Sequence, residues 1–256
     1  MPFHPIDHLR MEPDGPVMVL TLDNPAMKNA FLDDMHEALP EVWPHLADDP
    51  AVRAVVLTGA GSAFCAGGDI PGFVRSVEDP EHRHRLLRSA EALLRNIAAF
   101  PKPLVVAVNG PAVGLGANLA VAGDIVYMAE SAFLADTHVS VGLVAGDGGA
   151  AMWPLLMGLH RAKEYLLTGD RIPAEACVEF GLANAAVPDG ELMERSMAMA
   201  RRLADQPAQA VRDTKRAINL HLQDALQTVL PFALAAEAET FTTDDVRRAI
   251  ESFQQR

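Results

Sequence analysis

The sequence predicts an α/β protein, a layered core of strands and helices over residues 1–200 followed by a helical tail over residues 201–256. Three observations lead there. Short β-branched runs alternate with amphipathic helical stretches as far as about residue 150, which is the pattern of a layered α/β core. Beyond that point strand signals nearly vanish and helical ones succeed one another. A chain of 256 residues, half of them hydrophobic, is also long enough to bury one large core.

The elements follow in order. "PVMVLTL" (16–22) reads as the first strand, and "FLDDMHEALPEVWPHLAD" (31–48) as a helix. "VRAVVLTG" (52–59), "PLVVAV" (103–108) and "DIVYMAE" (124–130) read as further strands. Residues 103–123 carry no charge and have the length of a membrane span. Asn109-Gly110-Pro111 interrupts them, so strand, turn and buried helix start are expected instead. In the tail, 191–206, 207–223, 224–241 and 243–256 read as four successive helices, with Pro207 in a first turn. Such a tail serves assembly as often as it forms a domain.

A net charge of −13 argues against nucleic-acid and anionic-membrane partners, both of which need clustered cations. The N-terminal stretch shows no targeting pattern, and two cysteines, Cys65 and Cys177, cannot build a disulfide framework or a zinc site. A cytoplasmic protein is expected. His82 and His84 read as an exposed helix start, and no histidine spacing suggests a ligand set, so neither metal nor redox cofactor is expected.

Two glycine-rich turns carry more information. "GLGANL" (114–119) has two of the three dinucleotide-binding glycines, with Asp136 near the distance of the usual acid, but Leu119 stands at the third position. "GAGSAFCAGGD" lacks the Gly-Lys-Ser/Thr ending of a phosphate loop. Small-residue turns have another use: they let backbone N–H groups approach a ligand. Two of them facing each other make an oxyanion hole.

"TGAGSAFCAGGDI" followed by "AVNGPAVGLGANLAVAGDIVYMAESAFLADTHVSVGL" resembles the crotonase (enoyl-CoA hydratase/isomerase) superfamily, and the likeness continues through "LLTGDRIPAEACVEFGLANAAVPDGEL". "DNPAMKNA" and "TFTTDDVRRAIESF" match more loosely. The resemblance implies a spiral of ββα units whose C-terminal helices pack homotrimers, often doubled to hexamers. It implies an acyl-CoA substrate, with CoA as carrier and no other cofactor. By position, the backbone N–H groups of Gly68 and Leu115 would hold the enolate oxygen, and Ala26, Lys28, Ala66, Gly67 and Asp69 would line the CoA site. Phe253 and Arg256 stand where the family places a tail aromatic and a basic residue near a neighbour's CoA. Phe73, Leu86, Leu87 and Trp153 are candidates for setting acyl length.

The departures matter as much. Family hydratases work with two glutamates, and those positions read Asn118 and His138 here. Asn cannot transfer a proton in the working pH range. His138 titrates near neutrality, and Asp147 nine positions on is either its orienter or the N-cap of the helix "GGAAMWPLLMGL". "THVSVGLVAGDGG" is similar to the β-diketone hydrolase branch of the superfamily, the 6-oxocamphor hydrolase type, in which a His-Asp pair drives retro-Claisen cleavage. Three functions stay open: an enoyl-CoA hydratase or isomerase with His138 replacing a glutamate, a C–C hydrolase of 1,3-dicarbonyls, and an acyl-CoA binder without chemistry.

Overall fold

A computed structural model describes residues 6–254, and of residues 253 and 254 the backbone only. The chain opens with a hairpin, β1 (Leu9–Asp14) and β2 (Val17–Leu22), then α1 (Asp33–Asp48) and β3 (Ala54–Gly59). Next come α2 (Ile70–Glu78), α3 (Pro80–Ala99), β4 (Leu104–Val108), β5 (Ala112–Val113) and α4 (Leu115–Val121). β6 (Ile125–Ala129) and β7 (Phe133–Ala135) lead to α5 (Gly149–Met157), α6 (Leu159–Thr168), β8 (Ile172–Pro173), α7 (Ala174–Phe180) and β9 (Ala185–Val187). The tail holds α8 (Leu192–Ala204), α9 (Ala208–Thr240) and α10 (Asp244–Gln254).

The main sheet runs β1-β2-β3-β4-β6-β9. β1 is antiparallel to β2, and every later neighbour is parallel. β3 and β4 are buried along their whole length, which is why their sequences are continuous apolar runs without alternation. A second sheet, β5-β7-β8, receives the chain after β4 and again after β6. This winding through two sheets is the α/β spiral expected. The uncharged stretch 103–123 splits into β4, the turn, β5 and the wholly buried α4. No helix of the described residues is long and apolar enough to cross a membrane.

The structure differs from the sequence reading in two respects. β1 and the short strands β5, β7, β8 and β9 were not anticipated; the last four have two or three residues each, too few for an alternation to register. The two helices expected at 207–223 and 224–241 are one helix of 33 residues, preceded by Pro207 and continuous through Pro231. Its buried positions Leu226, Leu230, Ala233, Leu234 and Glu237 form one stripe. Tertiary packing along that stripe offsets the hydrogen bond that Pro231 cannot make.

Candidate active site

The two small-residue turns meet. The N–H of Val113 donates to Cys65 O at 2.9 Å. Gly67 is left-handed at φ +84°, and a Cβ there would lie 2.7 Å from Val113 O, so only glycine permits the approach. Beyond this seam, Gly68 and Leu115 line a cavity of about 270 Å³ together with Ala66, Gly67 and Asp69. Among the described residues neither the Gly68 nor the Leu115 N–H has an acceptor. Leu115 is the first residue of α4, where helix geometry leaves the N–H free. Two unengaged donors opening on one cavity are what an oxyanion requires.

The other positions expected to line a CoA site divide between the cavity and the surface. Asp69 caps α2, accepting from Gly72 N at 3.2 Å, and burial raises its carboxyl above the usual value. Ala26 and Lys28 are exposed and outside the cavity lining, though Lys28 O accepts from Ala66 N at 3.0 Å. Arg256 and the side chain of Phe253 lie outside the described residues.

On the same cavity stands His138, in a short 3-10 turn after β7. Its Nδ1 is 2.6 Å from Asp136 Oδ1 and its Nε2 is 3.3 Å from Asp147 Oδ2. A third carboxylate, Glu237 of α9, has Oε1 4.0 Å from Nε2. The pair His138-Asp147 is therefore brought together, but not with one nitrogen free. Asp136, weighed in the sequence only as a dinucleotide acid, takes the orienting place, and both ring nitrogens face carboxylates.

Electrostatics follows from this enclosure. Burial alone would lower the His138 pKa, but the charges of Asp147 and Asp136 outweigh it and hold the ring well above its ordinary value. The enclosure favours the imidazolium form of the ring. Burial would raise Asp136, yet the His138 charge and its hydrogen bonds leave that carboxyl below the usual range. Glu237 goes the other way: burial, against the pull of His138 and with Asp147 and Asp136 nearby, pushes it well above the carboxylate range. Its Oε2 is buried without a partner. Burial thus favours the neutral form of Glu237 beside the charged pair, and it lines the cavity.

Asn118 and Trp153 lie behind this cluster. Asn118 is fully buried and outside the cavity lining. Its Nδ2 donates to Asp147 Oδ1 at 2.8 Å and to Asp136 Oδ2 at 3.4 Å, and its Oδ1 accepts from Trp153 Nε1 at 3.0 Å. Both of its amide N–H groups go to holding the two aspartates. Trp153, a candidate for acyl length, is fully buried and works in this scaffold instead, whereas Phe73, Leu86 and Leu87 do line the cavity. Asp147 is no helix cap: α5 is preceded by Gly148 and has no side-chain cap bond. Gly149 begins α5 against the Asp136 carboxylate, where a Cβ would collide with Oδ2.

Ligand atoms of Asp136, His138 and Asp147 lie within 4.8 Å of one another, a spacing that a cation could also use. The 2.6 Å separation of Nδ1 from Asp136 Oδ1 leaves room for a shared proton but not for an ion between them. His82 also differs from the reading of an exposed helix start. It is buried, with Nδ1 2.9 Å from Ser76 Oγ and Nε2 2.8 Å from Asp33 Oδ1, while His84 is exposed.

Sequence reasoning missed Glu237 and His36. Both carry the same signal, a polar residue on the buried stripe of an amphipathic helix: Glu237 after Leu226, Leu230 and Ala233, and His36 with Leu39, Trp43 and Leu46.

A parallel sheet wound against a second, smaller sheet and closed by C-terminal helices is the fold of the crotonase class. The sequence profile described as Enoyl-CoA hydratase/isomerase matches residues 12–256, and the chain belongs to that family. It is 35% identical over 241 residues to 1,2-epoxyphenylacetyl-CoA isomerase of Escherichia coli, covering 93% of this chain and 91% of that protein. An enoyl-CoA hydratase/isomerase structure from Mycobacterium paratuberculosis superposes with a TM-score of 0.93 at 44% identity, covering 97% of this chain and 98% of the other. A β-diketone hydrolase from the cyanobacterium Anabaena superposes with a TM-score of 0.86 at 28% identity, over 94% of this chain and 96% of the other.

Proposed function

We propose that the protein acts on an acyl-CoA thioester by forming an enolate. The thioester carbonyl lies against the N–H groups of Gly68 and Leu115. Asp147, backed by the His138 imidazolium, takes the proton from the acyl α-carbon; the C–H electron pair moves to the thioester oxygen. The proton then returns to the same or a conjugated carbon. Asp136 fixes the ring through Nδ1, Asn118 positions both aspartates, and Glu237 lines the same cavity without taking part in the transfer. CoA lies along Ala66, Gly67 and Asp69 towards Ala26 and Lys28.

The observation that carries this reading is the pair of acceptor-free N–H groups on the cavity that Asp147 and His138 line. The E. coli relative named as an acyl-CoA isomerase supports the substrate class. Because Asn118 is committed behind the cluster, hydration by two opposed glutamates has no counterpart here, and proton transfer ending in double-bond isomerisation is favoured over water addition.

A second reading has its own support. In a retro-Claisen hydrolase the His138-Asp147 pair would activate water, the new C–O bond would form at one carbonyl of a 1,3-dicarbonyl, and the C–C electrons would leave as an enolate. The neutral Glu237 beside the pair and the β-diketone hydrolase structure favour it. A mass-spectrometric screen in D2O separates the readings. Deuterium at C2 of a saturated acyl-CoA and a shifted double bond in an enoyl-CoA support the first. Cleavage of free cyclic diketones that CoA does not inhibit supports the second. Tight acyl-CoA binding without exchange or product would leave a binding protein.

Exposed Leu155, Leu159, Leu167, Ile218 and Phe232 on α5, α6 and α9 suit burial between copies of this chain, as a homotrimer or a hexamer of two trimers. Light scattering on the purified protein tests it: a monomer at micromolar concentration would be incompatible.

A further inference from the structure

The cavity has a second wall that the chemistry above does not use. α1, α2 and α3 contribute His36, Phe73, Ser76, Leu86, Leu87 and Ala90 to the lining, whereas the reacting groups come from the turn before α4, the 3-10 turn after β7, the loop before α5 and from α9. Most of this wall is apolar. Four buried polar side-chain atoms among the described residues lack a partner: His36 Nε2, Trp43 Nε1, Ser196 Oγ and Glu237 Oε2. Two of the four, His36 and Glu237, belong to residues lining this one cavity. Buried polar atoms are nearly always paired in folded proteins, because burial removes their hydration. An orphan on a residue that lines a binding cavity is a candidate to be paired by what enters it.

His36 is 6% exposed and stacks near Phe31, ring centroids 5.2 Å apart. Burial lowers its pKa to about 4, although Asp147 and Asp33 pull the other way, so the ring is uncharged in the working range. Beside it on the lining, Ser76 Oγ is tethered to His82 Nδ1 at 2.9 Å, and His82 Nε2 to Asp33 Oδ1 at 2.8 Å. Arg75 pairs with the same Asp33 at 2.8 Å. Ser76, His82 and Arg75 are thus engaged with one another or with Asp33, and His36 Nε2 has no partner.

We propose that this wall selects acyl groups carrying an uncharged oxygen, a hydroxyl or a keto group beyond C3, which hydrogen-bonds His36 Nε2. The proposal rests on the acyl-thioester reading above and names its substrate class. A plain alkyl chain would bury the imidazole nitrogen unpaired. A carboxylate would bring another negative charge into a region already under the fields of Asp147 and Asp33, with no charged ring to meet it. A hydroxyl serves either tautomer of the neutral ring, donating to a bare nitrogen or accepting from a protonated one.

Equilibrium titration of the full chain with four probes tests this: hexanoyl-CoA, 6-hydroxyhexanoyl-CoA, 5-oxohexanoyl-CoA and 4-oxohexanoyl-CoA, with adipoyl-CoA as the anionic control. At least one neutral oxygenated probe should bind about tenfold tighter than hexanoyl-CoA, equivalent to about 1.4 kcal/mol, and adipoyl-CoA no tighter than hexanoyl-CoA. His36→Leu should erase that gain while binding hexanoyl-CoA as well as or better than before, and His36→Gln should retain part of it. Hexanoyl-CoA binding with no preference among the probes overturns the proposal alone, as does a preference that survives His36→Leu. Should His36→Leu fail to fold, the probe series on the unaltered protein and on His36→Gln decides. Failure of every acyl-CoA to bind removes the acyl-thioester reading itself, and this proposal with it.

Discussion

The two halves of the reacting surface are built of different material. The seam between residues 65–69 and 112–116 presents peptide N–H groups, held by backbone bonds such as Val113 N to Cys65 O at 2.9 Å. The surface around His138 presents side chains drawn from sequence positions as far apart as 118 and 237, held chiefly by one another and backed by Trp153 Nε1. In the first half the donor belongs to the main chain, so the side chain at 115 is free to vary. In the second, each residue sets the charge of the next, and nothing in it can be exchanged singly.

The sharpest way to break this contrast is to substitute within the cluster. His138→Ala should lower kcat by roughly 100- to 10,000-fold, the usual range for a lost acid-base group. Asp147→Asn should come close to the same loss, and the double variant should be scarcely worse than His138→Ala, as expected of groups acting as a unit. His138→Ala also strands Asp136 in a buried site, which typically costs about 3–5 kcal/mol. Melting curves must accompany the rates. Additive losses in the double variant would show that the two residues act separately.

On the backbone half, Gly68→Pro removes a donor outright and should reduce kcat by about 100- to 1,000-fold in a folded protein. Leu115→Ala should change kcat by only about threefold or less, since the N–H persists. Comparable losses in the two variants would mean that packing at 115, not its N–H, matters.

Asn118→Glu sharpens the comparison from the rear. From sequence alone, a glutamate restored at this position should raise hydration of a short enoyl-CoA. In the structure it would add a carboxylate between Asp136 and Asp147 and remove both amide donors. The expected outcome is no hydratase gain and a loss of about 3 kcal/mol or more in unfolding free energy. A gain in water addition would show that the cluster rearranges to admit a second acid.

The smallest effect is in pH dependence. Glu237 has a folded pKa raised well above its unfolded value, so it opposes folding progressively as pH rises from the unfolded pKa towards the folded one. Glu237→Gln should therefore raise the melting temperature more at pH 8 than at pH 5. His138 has the opposite sign: its raised pKa contributes stability fully below its unfolded value, about 6.5, and loses it as pH rises through the folded one. Asp136, lowered, contributes above its unfolded pKa and loses stability as pH falls through the folded one. A Glu237→Gln difference that is flat with pH would place the carboxyl in contact with water.

What the sequence determined by itself was the part written in local rules. Strands β2, β3, β4 and β6 were legible because β-branched apolar runs are a property of neighbours along the chain, and the two glycine turns because close backbone approach admits little else. The question at His138 and Asp147 was legible as a question only. Its answer depends on which ring nitrogen meets which carboxylate, and that is a distance between segments. Asp136, Asn118 and Glu237 acquire their roles because β7, α4 and α9 converge on one buried point, where low dielectric makes each charge depend on the others. Glu237 and His36 did break the apolar stripes of their helices, but a polar residue on a stripe shows only that something must meet it. Tertiary structure alone brings the partner, because pairing energy is set by separation in space rather than by position in the chain.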